Sequence, residues 1–250
     1  MKKEYTYRDS HKYASKGAEY EAYYEAQPWQ RFLWSREREI ILQILEKYFA
    51  DRDIHLLDFA CGTGRITSFL EDSVKTSTGV DVSSSMLAIA REKLKRTEII
   101  EADITIDNVL KGRKFNLIMA LRFFVNAEPA LRSSAMAALT NLLSEDGFLV
   151  FNNHQSYSSP WIKLLYMRHQ QKNPEGIFNV MTIDEMKKLV EEVGMEIVEL
   201  YPVGFFHPPK IAVPQMLTSV IENICCKFKS LTQFSESPIA VCSWINRPRK

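Results

Sequence analysis

The chain has no strong excess of either charge. Its 32 basic and 31 acidic residues leave a formal net charge of +1 at pH 7, so no global field draws it toward nucleic acid or an anionic membrane surface. Long apolar runs are also missing. The longest, residues 117–125, is too short to span a bilayer and carries Arg122. Met1-Lys2-Lys3-Glu4-Tyr5 lacks the apolar core of a signal peptide, and the expectation is a cytoplasmic protein without a membrane partner. Cysteine is scarce: Cys61, Cys225, Cys226 and Cys242 have neither zinc-knuckle nor Cys-x-x-Cys spacing. They read as reduced thiols, and no metal is expected. There is no internal repeat and no low-complexity tract. What remains is an ordinary globular composition, 46% apolar and 25% charged over 250 residues, long enough to bury a substantial core.

The most informative stretch is Leu56-Leu57-Asp58-Phe59-Ala60-Cys61-Gly62-Thr63-Gly64-Arg65. A short apolar run entered from Asp51-Arg52-Asp53 and left at two glycines predicts a buried parallel strand. Ile66, Phe69 and Leu70 then recur with helical spacing. Glycine at such a turn permits positive φ and lets a ligand approach the backbone, while the helix presents free N–H groups to it. A dinucleotide fingerprint would need a third glycine where Thr67 stands. That mismatch counts against a nicotinamide-dependent oxidoreductase.

The segment Asp58-Phe59-Ala60-Cys61-Gly62-Thr63-Gly64 resembles the first motif of class I S-adenosylmethionine-dependent methyltransferases. The resemblance runs over roughly residues 29 to 202 and implies a doubly wound, Rossmann-like sheet of seven strands, the last one antiparallel. It implies S-adenosyl-L-methionine as cofactor, with Asp58, Ala60, Gly62 and Gly64 at the methionine end. A second predicted strand ends in Gly79-Val80-Asp81, and Asp81 lies 19 residues beyond Gly62, close to the roughly 20 expected for a ribose-binding acid. A third ends in Asp103-Ile104. By resemblance, Asp103 bonds the adenine amine, Ile104 offers its backbone N–H and apolar cover, Met86 forms the other adenine wall, and Val82 is a further cofactor-binding residue. Backbone groups of Ala120 and Leu121, at the end of a fourth strand, would hold the methionine amino group.

The acceptor side is less determined. His154, after a fifth strand opening at the Gly147 turn, is the candidate general base, because an imidazole titrates near neutral pH. Substrate-side candidates are Tyr24, Trp29, Arg122, Phe123 and His207, with Tyr20 and Trp34 as further N-terminal aromatics. Arg122 could grip an acceptor carboxylate or phosphate or pair with Glu128. One of Phe123 and Phe124 could face the sulfonium. The chain lacks the Asn/Asp-Pro-Pro-aromatic motif of exocyclic-amine methyltransferases of nucleic acids and the Pro-Cys nucleophile of C5-cytosine enzymes, so the expected partner is a small-molecule acceptor methylated on oxygen or nitrogen. A non-catalytic S-adenosylmethionine-binding subunit is the alternative. The expected organisation is a helical lid segment, 1–50, on a methyltransferase domain, 51–250, with cap insertions at about 155–180 and 203–237. The oligomeric state is not legible.

Overall fold

The computed structural model describes residues 7–8, 15–172, 179–205 and 215–246. Seven strands form one sheet in the order β3-β2-β1-β4-β5-β7-β6. They are β1 (His55–Phe59), β2 (Thr76–Asp81), β3 (Glu98–Glu101), β4 (Phe115–Ala120), β5 (Leu143–Asn152), β6 (Met195–Tyr201) and β7 (Ile239–Trp244). β1 to β5 pair in parallel, whereas β7 runs antiparallel between β5 and β6. The order reverses beside β1, so the ends of β1 and β4 open a crevice where open α/β sheets bind ligands.

Strand periodicity of two sends alternate side chains to opposite faces. Leu57 and Phe59 join one core with α5 (Pro129–Leu142) and α7 (Ile183–Glu191). Leu56 joins the other with α2 (Pro28–Phe49) and α3 (Arg65–Leu70). Helices therefore cover both faces, the arrangement expected for parallel strands buried on each side. In β4 the alternation slips, Phe115 sharing a face with Ile118 and Ala120, because the register shifts between Phe115 and Leu117.

In the N-terminal segment, Trp29, Phe32, Leu33, Ile40, Ile41 and Ile44 of α2 pack in the core on one face of the sheet. Only α1 (Lys16–Ala26) lies outside that layer, against α4 (Ser84–Lys93), where a Cβ on Gly17 would meet the Ser85 carbonyl at 2.6 Å. Gly147 is not a helix-to-strand turn but lies within β5, which begins at Leu143 because Leu143 already pairs with Phe115.

The remaining helices are α6 (Pro160–Lys172) and α8 (Gln215–Cys225). The buried Glu222 of α8 accepts from the backbone N–H groups of Gly204 and Phe205, at 2.5 and 3.0 Å, tying the segment to the end of β6. No helix among the described residues is long and apolar enough to cross a membrane.

Candidate functional site

Two adjoining pockets open along the carboxyl ends of β1, β2 and β4. The larger, ≈ 180 Å³, is lined on one side by Ala60, Gly62, Arg65, Asp81 and Met86, and on the other by Tyr20, Tyr24, Leu121, Arg122, Asn126, His154 and Gln155. The smaller, ≈ 40 Å³, is walled mainly by Phe59, Val80, Val82, Ala102, Asp103 and Phe123. Tyr7, Ala60 and Asp81 line both. The result is a two-lobed cleft with a carboxylate at its waist.

Asp81 is positioned by the turn itself. Its two oxygens accept from the backbone N–H groups of Gly62 and Ser83, each at 2.9 Å, which locks the end of β2 to the glycine turn after β1. Gly62 has φ +57 and faces the larger lobe, next to the Met86 sulfur. Gly64, at φ +75, serves packing instead: a Cβ there would lie 2.8 Å from Leu94 of the loop after α4. Thr67, which stands in place of a third glycine, donates to Asp58 at 2.5 Å.

The backbone is strained at three further points. Ala60, Arg122 and Gln155, at φ 54, 66 and 60, are the non-glycine residues with positive φ among the described residues. They follow β1, β4 and β5, and all three line the larger lobe. Such conformations cost about 1–3 kcal/mol each and persist where the surrounding structure imposes them, typically at functional sites. Flanking bonds do so at Gln155: the N–H groups of Asn153 and Ser156 donate to Pro238 and Glu236 carbonyls at 3.0 and 2.7 Å.

Residues 56–147 match the model described as "Methyltransferase domain". The matched residues carry the glycine turn, Asp81 and Asp103. Curated relatives include a methyltransferase-named protein of Geobacillus sp. (strain WCH70), 28% identical over 142 residues that cover 55% of this chain and 53% of the relative. Another is the ubiquinone/menaquinone biosynthesis C-methyltransferase UbiE of Campylobacter jejuni subsp. jejuni, 27% identical over 120 residues, with 45% and 50% covered. The chain spans about half the length of the curated relatives it matches. Among solved structures, the magnesium protoporphyrin IX methyltransferase of Synechocystis PCC 6803 with bound S-adenosylhomocysteine aligns with TM-score 0.63 at 13% identity, covering 92% of this chain and 95% of that one. A SAM-dependent methyltransferase of Thermotoga maritima aligns with TM-score 0.64 at 15% identity, covering 90% and 94%. At these identities the likeness is one of fold.

Of the residues expected to hold the cofactor, Ala60, Gly62, Asp81, Val82, Met86, Asp103 and Leu121 meet in the cleft. Four other expected cofactor residues do not line it. Asp58 is sealed beneath the turn, where burial pushes its carboxyl up to about 7 despite the hydrogen bonds from Thr67. Gly64 faces α4; Ala120 is core; Ile104 lines a groove beside α5. On the acceptor side, Tyr24, Arg122 and His154 line the larger lobe, while Phe123 lies in the smaller one, packed edge-on by Tyr7 and Phe59. Trp29 is in the core under Gly204, and His207 lies outside the described residues.

Arg122 lines the larger lobe, and its ion pair is with Glu37 rather than Glu128. Its Nη2 donates to both oxygens of the buried Glu37 at 3.1 Å, and its Nη1 to Gln30 at 2.8 Å. Burial pushes Glu37 up to about 7, with Arg65 pulling it back, and the same burial lowers Arg122. Beside His154, Asn152 bonds the Arg122 backbone N–H and Ser237, and Asn153 donates to Ser156 and to the Met181 carbonyl.

Sequence reasoning missed Glu37, Arg65, Asn126, Gln155 and the Tyr7-Arg8 pair. For Glu37 a signal existed: an acid four residues after Leu33 and seven before Ile44 interrupts the apolar face of α2. Arg8 donates to Asp103 and, at 2.6 Å, to Thr105, and the backbone of Tyr7 donates to Glu128 at 2.7 Å. This strap narrows the smaller lobe. Burial would raise Asp103, but the bonds from Thr105 and Arg8 outweigh it and hold the carboxyl below its usual range. The Tyr7 hydroxyl stays protonated, raised far above an ordinary tyrosine by burial and by the charge of Asp81.

Proposed function

We propose that the chain is an S-adenosylmethionine-dependent methyltransferase that methylates an oxygen or nitrogen of a small-molecule acceptor. The observation that carries this reading is the two-lobed cleft hinged on Asp81, set at the crest of the sheet on a glycine turn. Asp81 would accept from the ribose hydroxyls. Val82 and Asp103 would hold the adenine in the smaller lobe, and Gly62, Met86 and Leu121 would flank the rest of the donor in the larger one. Bound there, the cofactor would supply a methyl group already activated by its sulfonium leaving group.

The chain's remaining task is alignment, exclusion of water and, for a protonated acceptor, removal of a proton. His154 lines the same lobe as Gly62 and Asp81 and would take that proton. Tyr20, Tyr24, Asn126 and Gln155 form the rest of its wall, a mixture of ring faces and amides suited to a compact polar acceptor. The near balance of charge supports a small molecule over nucleic acid.

The test is calorimetric titration of the full chain with S-adenosylhomocysteine and, separately, with NAD. Micromolar binding of the first and none of the second is expected. Tighter binding of NAD would replace the reading with an oxidoreductase one, and heat from neither would remove the donor site.

A further inference from the structure

The balance of charge over the whole chain conceals a local imbalance. Residues 147–174 carry Lys163, Arg168 and Lys172 and no acid, and residues 202–235 carry three lysines against one acid, Glu222. That acid is buried. Lys163, Arg168, Lys172 and Lys227 are exposed. None of them enters an ion pair among the described residues, whereas Lys47, Lys93 and Lys188 each meet an acid elsewhere on the surface.

The same two segments concentrate exposed apolar side chains. A surface helix ordinarily turns its polar side outward, and α8 does the reverse. Its one acid, Glu222, is buried and accepts from the backbone N–H groups of Gly204 and Phe205. Leu217, Val220 and Ile224, spaced three and four residues apart, form a stripe that is 51, 46 and 52% exposed. Phe228, just beyond the helix, is 55% exposed. On α6, Leu164, Leu165 and Met167 are exposed among the three cations. Single exposed apolar residues are ordinary, but a contiguous group marks a contact surface.

Both segments are rooted at one place. The N–H groups of Asn153 and Ser156, ahead of α6, donate to the carbonyls of Pro238 and Glu236, just after the α8 segment. There β5 pairs with β7, Asn152 opposite Ile239. The larger lobe opens on this same crest, since His154 and Gln155 line it.

We propose that α6 and α8 form a docking surface for an anionic lipid bilayer. Apolar side chains fringed by unpaired cations, with no exposed acid on either helix, match a bilayer whose headgroups carry negative charge above an apolar interior. A second copy of this chain is a poorer match, because a twofold interface would bring the same cations together. Neither helix lines the cleft, so docking and cofactor binding are separable.

The experiment is flotation of the full chain with vesicles of phosphatidylcholine alone and of equal parts phosphatidylcholine and phosphatidylserine. The anionic vesicles should bind the chain roughly tenfold or more tightly than the neutral ones, and added salt should reduce that binding. Leu217→Ser, Val220→Ser and Ile224→Ser combined should abolish it while the thermal midpoint stays nearly unchanged, because these side chains are exposed. Lys163→Gln and Arg168→Gln, which keep the stripe, should each weaken it roughly fivefold. Equal binding to both vesicles, binding to neither, or binding that survives both sets of substitutions overturns the proposal. A dimer in sedimentation velocity that the triple substitution dissociates also overturns it and gives the stripe to a second copy.

Discussion

The two lobes of the cleft share one carboxylate and are otherwise built from opposite materials. The smaller is apolar on most sides, with Phe59, Val80, Val82, Ala102, Phe123 and Leu131, and Tyr7 and Arg8 cross it. The larger carries Arg65, Arg122, Asn126, His154 and Gln155, and all three strained non-glycine residues line it. An apolar lobe selects by shape and by area removed from water. The polar lobe selects by charge and hydrogen-bond geometry, which are worth more where water is excluded. The strain is concentrated where chemistry would occur, and the strap where only binding would.

Four substitutions break or sharpen that contrast. The largest effect falls on the wall of the polar lobe. Glu37→Ala leaves the Arg122 guanidinium buried without its carboxylate, and denaturant unfolding should show a loss of about 3–5 kcal/mol. Asp81→Ala removes the one carboxylate common to both lobes. S-adenosylhomocysteine affinity should fall by about 1.5–3 kcal/mol in calorimetry, and an unchanged dissociation constant would remove Asp81 from the ribose site.

The third concerns pH. Asp58 is raised to about 7 in the folded chain, above the roughly 3.9 of an unfolded aspartate. Between these values the folded state binds more protons, so the stability Asp58 contributes is complete below about 3.9 and is lost as pH rises to about 7. Asp58→Asn keeps an acceptor for Thr67 and should be the more stable chain at pH 8, on the order of 1–2 kcal/mol, with the gain vanishing near pH 4. Thermal melts across that range measure it. Glu37 titrates in the same window, so the comparison is between the two chains at each pH.

The smallest effect belongs to the strap. The Arg8–Asp103 pair is partly exposed, and such pairs contribute up to about 1 kcal/mol. Arg8→Ala frees Asp103 and opens the apolar lobe, so S-adenosylhomocysteine should associate faster and bind up to roughly fivefold more tightly. Weaker binding would mean that the strap clamps the ligand rather than competing with it.

The local signals in the chain were strong enough to read the frame of this site. A short apolar run, the Gly62-Thr63-Gly64 turn and acids at strand ends announced β1, β2 and β3, because turns and short apolar runs are properties of neighbouring residues. The same signals did not show that the Asp58 side chain is buried or that Gly64 packs against Leu94. Position in a motif does not say whether a side chain turns toward a ligand, toward a helix or beneath the turn.

The sequence by itself therefore determined the strand ends, the two-faced core and the glycine turn. Tertiary structure alone decided which charges are spent. Arg122 meets Glu37 across 85 positions and Lys93 meets Glu21 across 72, and with those acids taken Arg65 is left with buried donors unmet. Pairing of charges depends on distances in space and on desolvation, neither of which spacing along the chain encodes.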